Sequence, residues 1–256
     1  MRRSWTFQRS AFFACVLLCA WVAPLPAGPA APGNPEFQFV RLAYTDAGGG
    51  FGFGRRRGGS WLTDAPEAEE HLLKGVSRLT RLLAAPDSIG LRPVDAELFD
   101  YPFLYAVEVG HWDLSDADAA ALRQYLLRGG FLMVDDFHGS REWEVFMESL
   151  RRVFPDHPVV ELDSSADVFH VLYDLDQRVQ IPGGAALSRG VTYEQDGYTP
   201  HWRGVFDDQG RLMIAINHNM DLGDAWELAD EPYYPQPLTA LAYRFAINYI
   251  LYAMSH

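Results

Sequence analysis

Cysteine is almost missing from this 256-residue chain, and its two copies, Cys15 and Cys19, both lie in the N-terminal segment. A chain that loses that segment has no disulfide, no thiolate metal ligand and no cysteine nucleophile. Positive charge is also short, with 21 Lys and Arg against 34 Asp and Glu and a formal net charge of -13. Such a surface repels phosphate backbones and argues against nucleic acid as a partner, whereas a cation or a basic protein is easier to accommodate. Plain solubility is the commoner meaning of an acidic surface. The sequence also lacks a Gly-x-Ser-x-Gly elbow, a His-Glu-x-x-His pair, a dinucleotide fingerprint and a phosphate-loop motif. Ordinary serine esterase, zinc protease and nucleotide-binding readings therefore lose their main support.

The N-terminus has the three-part layout of a secretory signal: Arg2, Arg3 and Arg9, an apolar run from Ala11 to Val22, then a Pro/Ala/Gly stretch with small residues at Ala27, Ala30 and Ala31. The expected organisation is a cleaved signal peptide over 1–31, a linker over 32–36 and one α/β domain over 37–256, placing the mature protein in the periplasm or outside the cell. An uncleaved leader is the only membrane attachment this reading allows, and its apolar run is short of the roughly 20 residues that span a bilayer.

Strand-like and helix-like patterns alternate along the rest. Phe37 to Tyr44 has strand density and runs into the glycine-rich stretch Gly48 to Gly59, which carries Arg55, Arg56 and Arg57. That stretch reads as an exposed loop, with an anion cradle of backbone amides as the alternative. Asp64, with Glu67 three residues on, looks like a helix cap before Ala68, Leu72, Val76, Leu79 and Leu83. Short strands are expected near Leu91 to Val94 and over Phe103 to Val109. Ser115 and Asp118 form a capping box, and Gly129-Gly130 ends the helix they start. Phe131 to Val134 is continuously apolar, the mark of a strand covered on both faces. Trp143, Phe146, Met147 and Leu150 mark another helix, and Val159 to Leu162 another short strand. The polar stretch from Asp163 to Pro200 reads as a functional loop or lid. Val205-Phe206 and Leu212 to Ile216 flank the turn Asp207 to Gly210 as a hairpin, and Pro237 to Met254 is a core-packed helix. The alternation predicts a mostly parallel sheet with helices on both faces, closed by a C-terminal hairpin and helix.

Ligands in such sheets bind at the carboxyl ends of the strands. The strand ending at Val109 leads into His111-Trp112-Asp113, and the one ending at Val134 into Asp135-Asp136-Phe137-His138. If those strands are neighbours, their histidines and aspartates converge, with Asp135, Asp136, His138 and His111 as candidate catalytic groups and Trp112 and Asp113 as candidate binding residues. The opposite reading makes the same residues caps and backbone partners. A further cluster holds Asn217, Asn219, Asp221, Asp224 and Glu227; its first spacings resemble a calcium loop, but the glycine and the closing acid are misplaced for an EF-hand. His170 and Tyr173 could reach over the same crevice. No metal is identified by these patterns, although a divalent ion is compatible with them.

Three stretches, Gly-Ser-Trp-Leu-Thr-Asp at 59–64, Gly-Gly-Phe-Leu-Met-Val-Asp-Asp-Phe at 129–137 and Asp-Leu-Gly-Asp-Ala-Trp-Glu at 221–227, together with Tyr-Arg-Phe-Ala-Ile-Asn-Tyr-Ile at 243–250, resemble the bacterial family catalogued as domain of unknown function 4159. That resemblance implies a three-layer flavodoxin-like sheet of the class I glutamine amidotransferase type and no established activity. Amidotransferases place a cysteine on the turn after a central strand, where this chain has Asp135 and Asp136, so glutamine hydrolysis by that route is excluded. Two readings stay open. One is a non-catalytic extracytoplasmic domain that binds a ligand or an envelope protein. The other is an acid- and histidine-dependent, metal-assisted hydrolase.

Overall fold

The computed structural model describes residues 35–47, 58–176 and 178–256. The segment expected to be a leader and most of the glycine-rich stretch, with Arg55 to Arg57, lie outside the described residues. Along the chain the elements are β1 (Val40–Leu42), β2 (Thr45–Asp46), α1 (Glu67–Leu79), β3 (Ile89–Leu91), β4 (Phe103–Val107), β5 (Trp112–Asp113), α2 (Asp116–Leu127), β6 (Phe131–Asp135), α3 (Gly139–Val153) and β7 (Val160–Glu161). They continue with α4 (Gly184–Ser188), β8 (His201–Phe206), β9 (Leu212–His218), α5 (Leu222–Glu227) and α6 (Gln236–Ser255).

Seven strands form one sheet in the order β3-β1-β4-β6-β9-β8-β7, and β2 pairs with β5 apart from it. The first five are parallel to one another, β8 runs antiparallel to β9, and β7 pairs antiparallel with β8 at the edge. Among the parallel strands the second in sequence lies outside the first and the rest follow on the other side, the doubly wound order of flavodoxin-like sheets. The predicted α/β class, parallel sheet, hairpin and closing helix are all present.

The sheet is apolar throughout because each strand feeds two cores. On β4, Phe103, Tyr105 and Val107 pack on one side, against α1, α5 and α6, while Leu104 and Ala106 face α2 and α3 on the other. On β6, Phe131 and Met133 alternate in the same way with Leu132 and Val134. Period-2 patterning vanishes when both faces are covered, which is why these strands read as unbroken hydrophobic runs. Among the described residues no helix is long and apolar enough to cross a membrane.

Two cap predictions come out differently. Ser115 Oγ accepts from Asp118 N at 3.2 Å and the Asp118 carboxylate returns the bond, a complete capping box. Replacing Ser115 with Ala should cost about 1 kcal/mol, a fall of roughly 2–4 °C in the melting temperature of a domain this size. Asp64 does not cap α1. Pro66 holds that position, and Asp64 sits at φ 63°, in the left-handed region, with its side chain turned elsewhere. The helix also stops at Leu79, so Leu79 and Leu83 are exposed rather than part of its buried stripe.

The long stretch from 163 to 200 is a strap laid over the sheet. Val168, Phe169, Leu175 and Ile181 are buried in the larger core. It joins the loops at the carboxyl ends of the strands, with Ile181 O accepting from Asp221 N, Gln180 donating to Asn219 O and Asp196 accepting from Ser140 N.

Candidate functional site

The carboxyl ends of β4 and β6 lie side by side, with Val107 opposite Asp135 and the two strands parallel. β1 flanks β4 and β9 flanks β6, so the connections after four neighbouring strands start at the same end of the sheet, the rim of the expected crevice. Each delivers acids: Asp64 after β1, Glu108 after β4, Asp135 and Asp136 at the end of β6, and Asp221 and Asp224 after β9.

Asp64, Asp221 and Asp224 each bring a carboxylate oxygen within 4.8 Å of the others. Asp221 is 5 % exposed and caps α5, its Oδ1 accepting from Asp224 N at 2.7 Å. Asp135 is fully buried, and its Oδ2 accepts from Leu222 N at 2.8 Å, Gly223 N at 3.1 Å and the Tyr105 hydroxyl at 3.2 Å. Its other oxygen, Oδ1, is buried without a hydrogen-bond partner, and so is Oδ2 of Asp64. A methyl group at Gly223 would lie 2.5 Å from that Asp64 oxygen and 3.5 Å from Asp221 Oδ1, so the backbone comes close enough to the carboxylates to exclude any side chain there.

Asp64 is presented by a turn that Arg41 holds. From β1 the guanidinium pairs with the buried carboxylate of Glu69 and donates through Nη1 to Trp61 O at 2.9 Å and Thr63 O at 2.7 Å. It also lies 5.3 Å from the centre of the Tyr105 ring. The backbone of the rim is itself unusual: all five non-glycine residues of positive φ among the described residues, Asp64, Glu108, Asp136, Gln195 and Asn219, belong to the loops that surround the crevice.

Charge crowding dominates the electrostatics. Two full charges within 4.8 Å repel by at least about 3 kcal/mol at an effective dielectric constant of about 20, and three such pairs approach the roughly 5–15 kcal/mol that stabilises a whole domain. The cluster must therefore be neutralised by protons or by a cation. Burial and the neighbouring Asp224 and Glu227 carboxylates push the Asp64 carboxyl well above the usual range, with Arg41 opposing. Burial and then Asp136 and Asp224 do the same to Asp221. Burial pushes Asp135 up to about 7 against the pull of its backbone donors.

Asp136 is driven upward by burial and then Glu108, while burial drives His138 down to about 4. Their contact, Asp136 Oδ1 to His138 Nε2 at 3.2 Å, is one in which burial disfavours the charged form of both partners. His138 Nδ1 is buried without a partner. His111 reaches this rim through Glu108 Oε2 at 3.4 Å and Glu142 Oε1 at 3.8 Å, and the other oxygen of Glu142 accepts from His138 N at 2.6 Å.

The remaining residues singled out in the sequence have other surroundings. Trp112 is core, stacked 5.2 Å from Phe146 and donating to its carbonyl. Asp113 pairs with Arg152 at 2.7 Å. Asn217 is fully buried as a brace, donating to Val134 O at 3.1 Å and accepting from the Tyr249 hydroxyl at 2.9 Å. His170 spends its ring nitrogens on Asp174 and Ser164 O within its own loop. Asn219 locks the rim by accepting from Gly139 N and donating to Thr199 O. Asp221 and Asp224 stand at the centre, and Glu227 acts on Asp64 from the end of α5. The sequence pattern missed Asp64 as a site residue, and with it Arg41 and Tyr105. The signal available for Asp64 was its place in the loop after an inner parallel strand.

The donor set is all oxygen. Carboxylates without thiolate or imidazole in the triad suit hard divalent ions such as calcium, magnesium or manganese rather than zinc or copper. A family model described as Domain of unknown function (DUF4159) matches residues 38–254. No curated protein matches the chain.

Proposed function

We propose that this chain, which belongs to the DUF4159 family, is an exported ligand-binding domain whose ligand is, or includes, a hard divalent cation held by Asp64, Asp221 and Asp224. The family description assigns no activity, so the reading rests on the site. The observation that carries it is the convergence of three carboxylates within 4.8 Å beside two buried carboxylate oxygens, on Asp64 and Asp135, that no protein donor satisfies. Buried acceptors of this kind are normally satisfied, and a cation would meet that need while cancelling the repulsion. Export follows from the three-part leader. The amidotransferase-like ancestry fits the doubly wound order, with Asp135 and Asp136 where a thiol would stand.

Calcium, magnesium or manganese added to the chelator-treated full chain should raise its melting temperature. At ten times the dissociation constant the gain is about 1.4 kcal/mol, or roughly 3–6 °C. A melting temperature indifferent to all three ions would refute the assignment.

A second reading, metal-assisted hydrolysis, is favoured by the Asp136–His138 pair on the same rim, since a neutral imidazole with a free Nδ1 suits a general base. It requires cation-dependent turnover of ester or phosphoester substrates that His138→Gln removes while leaving cation affinity in place.

A further inference from the structure

Between α1, the turn after α5 and α6 lies a cavity of about 390 Å³, within the roughly 300–1,000 Å³ range of small-molecule sites. None of the crevice aspartates lines it. The short helix α5 connects the two places: Asp224 stands in its first turn, and its last carbonyls, Trp226 O and Glu227 O, lie 3.0 and 3.1 Å from Nδ1 of His71 on the cavity wall. Two carbonyls require that nitrogen to carry the proton, which leaves Nε2 as the ring's remaining polar atom.

The two long helices meet here through one ring. The point where a side chain at Gly75 would begin lies 2.2 Å from Tyr243 Cε1 and 2.5 Å from Cδ1, so the tyrosine lies against the α1 backbone where no other residue would admit it. Glycine is a poor helix former in mid-helix, and this contact accounts for its presence in α1. Ala240 and Leu79 add to the apolar lining, and Leu79 is 53 % exposed.

The polar lining is charged. Lys74 and Arg78 stand one turn apart on α1, where like charges repel. Among the described residues their one ion pair is loose, Lys74 Nζ to Glu70 Oε2 at 3.9 Å with both groups exposed. In a chain of net charge -13, two adjacent cations therefore line a cavity without a close acid. Asp230 lines it from the turn after α5. Burial and then Asp230 push the Tyr243 hydroxyl up to about 12, with Arg78 opposing, so the three groups share one neighbourhood.

We propose that this cavity is a second binding site, independent of the cation site, and that it takes an amphiphilic carboxylate, with the head beside Lys74 and Arg78 and the apolar body on Leu79, Ala240 and Tyr243. A carboxylate gives the two cations the partner they lack, and an apolar body removes Leu79 and the tyrosine ring from water. Lys74 and Arg78 against Asp230, counting His71 as neutral, leave one net positive charge in the lining. That balance suits a monoanion and penalises a dianion.

The test is calorimetric titration of the full chain with octanoate, acetate and 1-octanol. The protein is first freed of divalent ions, so that a carboxylate held by a cation in the crevice does not register. Octanoate should bind saturably with a Kd of about 1 mM or below. Acetate should bind at least about 100-fold more weakly, since each buried methylene is worth about a fourfold factor, and octanol about tenfold more weakly for want of the charge. The double variant Lys74→Gln, Arg78→Gln should weaken octanoate about tenfold and leave octanol unchanged. Ala240→Phe, which fills the space from an exposed position on α6, should abolish binding of both, and Asp230→Asn should tighten octanoate about twofold. All four positions are exposed, so unliganded melting temperatures should stay within about 2 °C of wild type. No saturable octanoate binding below about 10 mM, wild-type affinity in Ala240→Phe or in the double variant, or weaker octanoate binding in Asp230→Asn would each overturn the proposal.

Discussion

Asp221→Asn should abolish most cation binding, a fall of about 100-fold in affinity by calorimetry, while leaving a folded protein that is at least as stable without the ion. Asparagine is nearly isosteric and its side-chain oxygen can still accept from Asp224 N, a bond now 2.7 Å long, so the cap of α5 survives. What disappears is one full charge at the centre of the cluster. Affinity in oxygen sites follows the number of charged ligands, and losing one that contacts the ion costs more than the 10- to 100-fold typical of outer partners. Without the ion the same change removes repulsion from Asp136 and Asp224, the neighbours that act most on Asp221 after burial itself. Gain in apo stability together with loss of affinity is the signature of a site that is costly to maintain. An apo protein destabilised by several degrees, with calcium affinity intact, would place Asp221 among the structural caps.

The second large effect is a cation-free stability that falls as pH rises toward neutrality and holds up when calcium is added. Asp135 titrates near 7 in the fold, against about 3.9 in an unfolded chain. Between those values the folded state holds a proton that the unfolded state has released, so stability is greatest at low pH and drains away as pH rises through 7. The full loss is about 4 kcal/mol. His218 acts in the opposite sense. Burial, with help from Arg203 and His201, lowers it to about 4, so its contribution is complete above about 6.5 and disappears as pH falls toward 4. Between about 4 and 6.5 the two offset each other. His138, lowered to about 4, adds to the histidine side, but Asp64, Asp136 and Asp221 are raised by burial and mutual repulsion and add to the side of Asp135, so the cation-free protein should lose stability as pH rises toward neutrality. Calcium replaces protons on the carboxylates, so saturating calcium should flatten that decline. Melting curves from pH 4 to 9, with chelator or calcium, read this directly. Superimposable curves would count against the ion.

Much of this arrangement could be read from the amino acids. Unbroken apolar runs such as Phe131 to Val134 announce a strand covered on both faces, and that property carries the parallel sheet and the meeting of strand ends at Asp135 and Asp136. The Ser115–Asp118 box was equally plain because its geometry is local. Asp64 was not, since Asp-x-x-Glu before an amphipathic run signals a cap whether the aspartate is extended or left-handed, and only the tertiary pull of Arg41 on the turn decides between them. Trp112 illustrates the converse: an aromatic residue after a strand looks available for binding until the helix that buries it, through Phe146, is in place.

The five left-handed residues around the crevice have a consequence for how the protein fails. Each such conformation costs about 1–2 kcal/mol in a residue with a Cβ, so together they rival the net stability of a typical domain. The rim persists because the two apolar layers beneath it over-determine its path. Weakening those layers at a distant position, for example at Phe131, should let the turns relax before the sheet itself comes apart. Ion affinity would then decline at temperatures where the far-ultraviolet signal is still that of the native chain.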